Sequence, residues 1–153
     1  LRTAQLHSEK SKLNIDYRHM TAEDLASQLA GYFDLITCFE MLEHVPKPFE
    51  TIESLAKLLK PNGFLIISTI NRTIASYIGS ILIAEKLLDW VPMGTHDYSN
   101  FIKPSELVRS FRHHRCQLRT IEGVNFNPFT ESFSRSKTKI SINYIAVAIS
   151  TRL

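Results

Sequence analysis

The sequence has 153 residues, 44% hydrophobic and 22% charged, and a formal net charge of +3. These values are typical of one globular domain and exclude a disordered, collagen-like or coiled-coil chain. The small charge argues against a dedicated nucleic-acid-binding protein, so no nucleic acid partner is expected. The two cysteines, Cys38 and Cys116, are too few and too widely spaced for a disulfide scaffold or a zinc knuckle, and they favour a reducing compartment.

The first third of the chain predicts helices and strands in alternation. Residues 2–11 are helix formers, and residues 14–18 alternate as a short strand. Thr21 begins the capping signature of a helix that we expect to end near Gly31. Residues 32–39 are almost continuously apolar and β-branched, which predicts a strand buried on both faces of a parallel sheet.

The middle of the chain continues the alternation. Residues 49–59 carry apolar side chains at helical spacing, residues 60–63 give a stop-and-turn signal, and residues 64–69 read as a second buried strand. Strands alternating with helices are the pattern of an α/β domain with a parallel sheet.

The end of the chain breaks this pattern. A last helix is predicted over residues 104–112, with Pro104 in its first turn. Residues 115–124 and 140–149 follow as two strands joined by a long polar loop at 125–139. Because no helix separates these two strands, we expect an antiparallel pair at the edge of the sheet.

The glycines are spaced too widely for a nucleotide-binding turn. The closest two, Gly79 and Gly94, are fifteen positions apart, so neither a G-x-G-x-x-G motif nor a P-loop is present. Either the domain binds no nucleotide, or its nucleotide-binding half lies upstream of Leu1. The mixed helix-forming residues at the start of the chain favour a piece of something longer.

The segment E-M-L-E-H follows the buried strand at its carboxyl end, where open α/β sheets place their ligands. If it turns helically, Glu40 shares a face with Glu43 and with His44, and the three could hold one divalent cation. Oxygen-rich ligation suits Mg²⁺ or Mn²⁺, and the imidazole would also tolerate Zn²⁺. The alternative is that both carboxylates are solvated or act as caps, with His44 bonded to a backbone carbonyl.

Residues 73–91 form a mostly apolar segment at helical spacing. Its uncharged part, residues 73–84, is shorter than the roughly 20 residues that span a bilayer. One interpretation is an interfacial helix with Tyr77 and Trp90 as anchors; the other is a helix packed on the sheet. Shortly after it, His96 stands in a Gly-containing loop, where it either lines a cleft or lies at the surface.

Two stretches resemble class I S-adenosylmethionine-dependent methyltransferases. Residues 33–45, F-D-L-I-T-C-F-E-M-L-E-H-V, resemble the fourth-strand motif of that superfamily. Residues 59–64, L-K-P-N-G-F, resemble the turn before its fifth strand, with Asn62 in place of a glycine.

Further stretches narrow the resemblance to the ubiquinone biosynthesis O-methyltransferase family, and together they cover essentially the whole chain. They are S-T-I-N-R at 68–72, V-P-M-G-T-H at 91–96, F-I-K-P-S-E-L at 101–107, G-V-N-F-N-P-F at 123–129 and N-Y at 143–144.

This resemblance implies a fold. It is a class I methyltransferase Rossmann-like sheet of seven strands, the last two an antiparallel pair, and this chain would hold only the C-terminal part, strands 3–7. Residues 1–153 would then be one partial methyltransferase domain with an amphipathic insertion at 73–91. The first two strands and the Gly-rich cofactor loop would be absent, and this truncated chain alone would be inactive.

The resemblance also implies a reaction and its residues. A methyl group moves from S-adenosylmethionine to a catechol-type hydroxyl of a polyprenylated ring. Glu40, Glu43 and His44 would bind Mg²⁺ or a similar cation, and Phe39 would line the cofactor pocket. His44 or His96 would remove the proton of the accepting hydroxyl.

The implied partners are a polyprenylated phenol, the membrane surface through residues 73–91, and other ubiquinone-biosynthesis enzymes. The implied location is cytoplasmic and peripheral on the inner membrane of a bacterium, or on the matrix side of the mitochondrial inner membrane. The alternative function is a catalytically inactive fragment that retains only membrane or complex contacts.

Overall fold

The structure is a computed structural model that describes residues 1–77, 97–127 and 130–152. Its described helices are α1 (Arg2–Lys10), α2 (Ala22–Gln28), α3 (Pro48–Leu58), α4 (Ile74–Ser76) and α5 (Pro104–His113). Its described strands are β1 (Phe33–Phe39), β2 (Leu59–Ile70), β3 (Cys116–Asn127), β4 (Ser132–Ser136) and β5 (Asn143–Ser150). Two 3₁₀ turns complete it, Leu42–His44 and Tyr98–Asn100.

The strands form one mixed sheet in the order β1-β2-β5-β3-β4. β1 and β2 are parallel, whereas β5 is antiparallel to both β2 and β3. The predicted α/β class is therefore confirmed, and so is the antiparallel pairing of the last two predicted strands. Their predicted position at the edge of the sheet is wrong, because β5 lies between β2 and β3 and β4 pairs with the outer side of β3. The carboxyl ends of β1 and β2 lie at the same edge of the sheet, because the two strands are parallel.

The described helices cover one face of the sheet much better than the other. Side chains of α3 and α5 join one buried cluster with alternate residues of the central strands, among them Ile67, Tyr144 and Ala146. The prediction that the first strand is buried on both faces is wrong. Leu35 is 53% and Phe39 55% exposed, because none of the helices named above packs over that side of β1.

The capping prediction for α2 is confirmed. The Thr21 hydroxyl accepts a hydrogen bond from the backbone N–H of Asp24, and the Asp24 carboxylate accepts one from the N–H of Thr21. The helix ends at Gln28, before Gly31, which adopts a left-handed conformation with φ 68°. Its N–H donates to the carbonyl of Lys57 at 2.9 Å, so this turn is tied to the end of α3.

The predicted turn at residues 60–63 lies inside β2 as a bulge. Phe33 pairs with Leu59 but Leu35 pairs with Phe64, so these four residues stand opposite Asp34 alone. Gly63 belongs there because an added Cβ would lie 3.0 Å from the carbonyl oxygens of Lys60 and Phe33.

Two other predictions fail. Residues 14–18 do not form a strand; they have no described neighbour to pair with, and Ile15 is 46% exposed. The segment 125–139 is not only a polar loop. β3 continues to Asn127 and then pairs with β4 in a hairpin, with the Phe126 and Phe133 rings 5.0 Å apart.

Most of the predicted helix at 73–91 lies outside the described residues, which include only its first turn. α4 is capped by Thr73, whose hydroxyl donates to the carbonyl of Ser141 at 2.6 Å. Further along the chain, the N–H of Ile102 donates to the carbonyl oxygen of Ile70 at 2.9 Å, and the Ile102 carbonyl accepts from the Tyr144 hydroxyl at 2.9 Å. Within the described ranges, no helix is long and apolar enough to cross a membrane.

Candidate active site

The chain leaves the sheet abruptly after β1, at its carboxyl end. Glu40 has φ 47°, in the left-handed region, and its N–H donates to the carbonyl of Ser68 at 3.1 Å. The 3₁₀ turn Leu42–His44 follows. The E-x-x-E-H segment is therefore not one helical turn, because its first residue has the opposite backbone hand.

The Glu40 carboxylate is held from two neighbouring strands. The Ser68 hydroxyl of β2 donates to Oε1 at 2.7 Å, and Nδ2 of Asn143 in β5 donates to Oε2 at 3.1 Å. The Ser68 hydroxyl oxygen also lies 3.1 Å from the N–H of Glu40, so the two residues are bonded in both directions. Glu40 nevertheless stays exposed to solvent.

The Glu43 carboxylate lies in a different environment. Its side chain is only 3% exposed, and Oε2 accepts a hydrogen bond from the Thr69 hydroxyl at 2.7 Å. Burial, and after it the Glu43 charge, raises the pKa of the Cys38 thiol to about 11. Burial also raises the pKa of Tyr144, and the charges of Glu106 and Glu43 add to that effect. Glu43 thus belongs to the buried face of the sheet.

These contacts place the two carboxylates on opposite faces of the sheet. Ser68 and Thr69 are consecutive in a regular part of β2, and consecutive side chains of a strand point to opposite faces. Asn143 lies on the Ser68 side, because it pairs with Ile70, two residues further along β2. Tyr144 pairs with Thr69 on the other side.

This arrangement does not fit the predicted metal site of Glu40, Glu43 and His44. One ion takes its oxygen ligands at about 2.0–2.6 Å, so the ligands must converge on one point. Here each carboxylate is bonded to a different face of β2. In the part of the chain that the structure describes, no three His, Cys, Asp or Glu side chains form a group suited to a metal ion. The helical spacing assumed for the segment fails at Glu40.

The other predicted site residues divide into described and undescribed ones. His44 is exposed at the end of the 3₁₀ turn, where its N–H donates to the carbonyl of Met41 at 3.0 Å. His96 lies outside the described residues. Phe39 presents a 55% exposed aromatic side chain at the carboxyl end of β1. The ring therefore offers an apolar surface at this end of the sheet.

Sequence reasoning missed the partners of the two carboxylates, which are Ser68, Thr69 and Asn143. The available signal was the pair of adjacent hydroxyl residues near the end of an otherwise apolar strand. A buried hydroxyl requires a hydrogen-bond partner. The acidic turn beside this strand end supplies one carboxylate for the hydroxyl on each face.

A groove of about 820 Å³ lies apart from these residues, between α3 and α5. Its described wall includes Phe49, Arg72 and Arg109, and it contains none of the described candidate residues at positions 39–44. The described candidate residues therefore gather at the carboxyl ends of β1 and β2 and not in this groove.

Comparison with known proteins gives a family match over most of the chain. Residues 5–120 match the family model described as a methyltransferase domain. The ubiquinone biosynthesis O-methyltransferase of Chromobacterium violaceum is 43% identical over 145 residues, covering 95% of this chain and 62% of that protein. The enzyme of the same name from Xanthomonas campestris pv. campestris is 42% identical over 149 residues, covering 97% and 62%. The chain thus spans about three fifths of the length of these curated relatives.

Solved structures agree in fold. A SAM-dependent methyltransferase from Thermotoga maritima superposes with a TM-score of 0.67 at 18% identity, covering 97% of this chain and 69% of the other. One from Methanosarcina mazei gives 0.65 at 16% identity, covering 97% and 76%. At such identities the likeness shows the fold alone.

Proposed function

The chain belongs to the methyltransferase-domain family, and from that premise we propose that it is part of an S-adenosylmethionine-dependent O-methyltransferase of ubiquinone biosynthesis. The accepting group is a hydroxyl of a polyprenylated catechol or hydroquinol. The observation that carries the proposal is the 43% identity to relatives of that name, which extends over 95% of this chain.

The methyl donor is proposed to lie at the carboxyl end of β1, in contact with Phe39. When bound, S-adenosylmethionine supplies a methyl group on a positively charged sulfur. The exposed ring of Phe39 supports this placement, because it offers an apolar surface at the edge where α/β sheets hold their ligands. The turn that follows sets the direction in which the chain leaves that surface.

His44 is proposed as the base that takes the proton from the accepting hydroxyl. Its imidazole is exposed one residue after the buried Glu43, so it can face a substrate while the turn beneath it is held in place. Histidine is the side chain that most often serves as a general base. His96 remains the second candidate, on the basis of the sequence.

The predicted divalent cation is not used in this mechanism. The described positions of Glu40 and Glu43 do not converge, so no residue of the segment is given a role as a metal ligand. A requirement for Mg²⁺ stays a prediction, which activity measured with and without a chelator would test.

A labelled-methyl assay tests the proposed function. The natural protein that contains this sequence is incubated with S-adenosylmethionine carrying a tritiated methyl group and with a catechol bearing a short prenyl tail. We expect label in the organic phase, and a loss of about 100-fold in kcat for His44→Gln. His113→Gln is the control, because that exposed histidine lies at the end of α5. Absence of transfer by the wild-type protein would overturn the proposal.

The same proposal includes membrane contact through residues 73–91. It also includes a peripheral location, either on the inner membrane of a bacterium or on the matrix side of the mitochondrial inner membrane. It is supported by the uncharged run 73–84 flanked by Trp90, and by the bilayer location expected of a polyprenylated substrate. Flotation with vesicles of phosphatidylglycerol and phosphatidylcholine tests it. Leu82→Asp should reduce the floated fraction several-fold, and an unchanged fraction would contradict membrane contact. Contacts with other enzymes of ubiquinone biosynthesis are proposed only from the relatives' shared name.

A further inference from the structure

We propose that the E-x-x-E-H segment is a two-sided clamp on the end of β2, in which Glu40 and Glu43 are positioning residues for Phe39 and the turn that follows it. Glu40 holds Ser68 on one face of the sheet, and Glu43 holds Thr69 on the other; we call these contacts the Glu40 arm and the Glu43 arm of the clamp. The consequence for activity rests on the proposed function, whereas the clamp itself does not.

The Glu43 arm is the stronger of the two. Glu43 is 3% and Thr69 0% exposed, so their hydrogen bond is shielded from water. No ion pair compensates the Glu43 carboxylate among the residues that the structure describes, so the Thr69 hydroxyl is its described partner. A buried carboxylate that lost this donor would be left poorly compensated, which makes the bond costly to break.

The Glu40 arm fixes the backbone at the point where the chain turns. Glu40 donates through its N–H to β2 and accepts through its carboxylate from Ser68 and Asn143. Because β2 lies between β1 and β5, these contacts tie the turn after β1 to both of the next two strands of the sheet. The contacts offset the unfavourable left-handed conformation of Glu40 and so keep Phe39 as the last residue of β1.

Together the arms explain why two acidic residues stand three positions apart without sharing a ligand. The chain crosses the end of β2 between them, so one carboxylate reaches each face. A displacement of the turn would move the Phe39 ring. We therefore expect weakened clamp variants to bind the methyl donor less well, while the chemical step changes less.

The decisive variants alter Thr69, which no metal-site hypothesis includes. Thr69→Val keeps the shape of the side chain but removes its donor, and Thr69→Ser keeps the donor. In the natural protein, Thr69→Val should raise the equilibrium constant for unfolding in urea by about tenfold. It should also raise the KM for S-adenosylmethionine several-fold with kcat within about twofold, and Thr69→Ser should restore both values.

Variants of Glu43 separate a clamp from a metal ligand. Glu43→Gln keeps an acceptor for Thr69, so the clamp predicts a KM within about threefold of wild type and the same response to EDTA. Glu43→Ala should resemble Thr69→Val, and the double variant should be no worse than the poorer single one, because both remove the same bond. Thr151→Val is the control, since it removes an exposed hydroxyl bonded to the Arg115 carbonyl.

The Glu40 arm has its own test. Ser68→Ala and Asn143→Leu each remove one donor to an exposed carboxylate, so each should raise the KM by about threefold or less. Their combination should raise it further.

Two results would overturn the clamp. One is that the effects of the Thr69 and Glu43 substitutions on the unfolding constant multiply in the double variant, as they would at independent sites. The other is a Thr69→Val variant whose unfolding constant and KM equal those of wild type, together with a Glu43→Gln variant whose activity falls more than tenfold and is partly restored by added Mg²⁺. If the wild-type protein transferred no methyl group, the proposed function would fail, but the unfolding cycle would still decide on the clamp.

Discussion

The two strands that flank β2 differ in how they are held in the sheet. On its antiparallel side, β5 is itself paired on both edges, and its Tyr144, Ala146 and Ala148 are fully buried. On its parallel side, β1 has β2 as its only described neighbour and exposes more than half of Leu35 and Phe39. The antiparallel side is held by packing, whereas the carboxyl end of β1 is held by individual polar contacts. The candidate chemistry lies on the less packed side, as functional segments often do.

Gly123→Ala should produce the largest loss of stability, on the antiparallel side. An added Cβ would lie 2.1 Å from the carbonyl oxygen of Lys139, a backbone atom that can move only with its segment. We expect a loss of about 3 kcal/mol or more in the free energy of unfolding, measured in urea. Gly31→Ala is the control; its site is open, so only the left-handed backbone matters, at about 1 kcal/mol. Equal losses at the two sites would show that the backbone at Lys139 can move aside at little cost in free energy.

Gly63→Ala tests the parallel side in the same way. Its Cβ would meet carbonyl oxygens of Lys60 and Phe33 at 3.0 Å, which is tight but allows a shift of a few tenths of an ångström. We expect a loss of about 2 kcal/mol, smaller than that of Gly123→Ala. A larger loss here would reverse the comparison, because it would make the β1 edge the more rigid one.

Tyr144→Phe should cost about 1.5 kcal/mol, because it leaves the buried Ile102 carbonyl without its hydroxyl donor. Burial raises the pKa of Tyr144 above its ordinary value of about 10. The unfolded chain therefore loses this proton first, and the stabilisation is present below about pH 10 and declines as the pH rises further. Unfolding measured from pH 8 to 11 should show a shallower decline for the variant; an identical decline would contradict the assignment.

Lys60→Gln should have the smallest effect. The ammonium lies 2.8 Å from the Asp34 carboxylate across the bulge, but the two side chains are 45% and 83% exposed. Exposed pairs contribute little, so we expect a change below about 0.5 kcal/mol, and less at high salt. A loss above about 1 kcal/mol would mean that this ion pair stabilises the bulge more than an exposed pair is expected to.

The elements that the sequence predicted well carry their own local signals. Thr21 and Asp24 define the start of α2 by a capping box, and Pro104 stands at the start of α5. The strand predicted over residues 64–69 forms the regular part of β2, because its apolar run is continuous. The turn signal before it marks the bulge at residues 60–63 and not the start of the strand. These features depend on neighbours in sequence, and so a single chain reveals them.

The failures concern features that depend on distant neighbours. Residues 14–18 alternate like a strand, yet no described strand lies beside them. β4, S-F-S-R-S, has little apolar character and exists through its pairing with β3. The predicted metal triad assumed a helical turn from Glu40, and the left-handed backbone at that residue is fixed by contacts with β2 and β5 that sequence spacing does not show.

The described residues that flank positions 78–96 lie close together. The rings of Tyr77 and Tyr98 are in edge-to-face contact with centroids 5.5 Å apart, and the neighbouring Thr73 and Ile102 are each bonded to the strand region. The chain therefore returns to the described structure close to the point at which it leaves it. A short Gly-Ser linker could therefore join Tyr77 to Asp97 without displacing either anchor point.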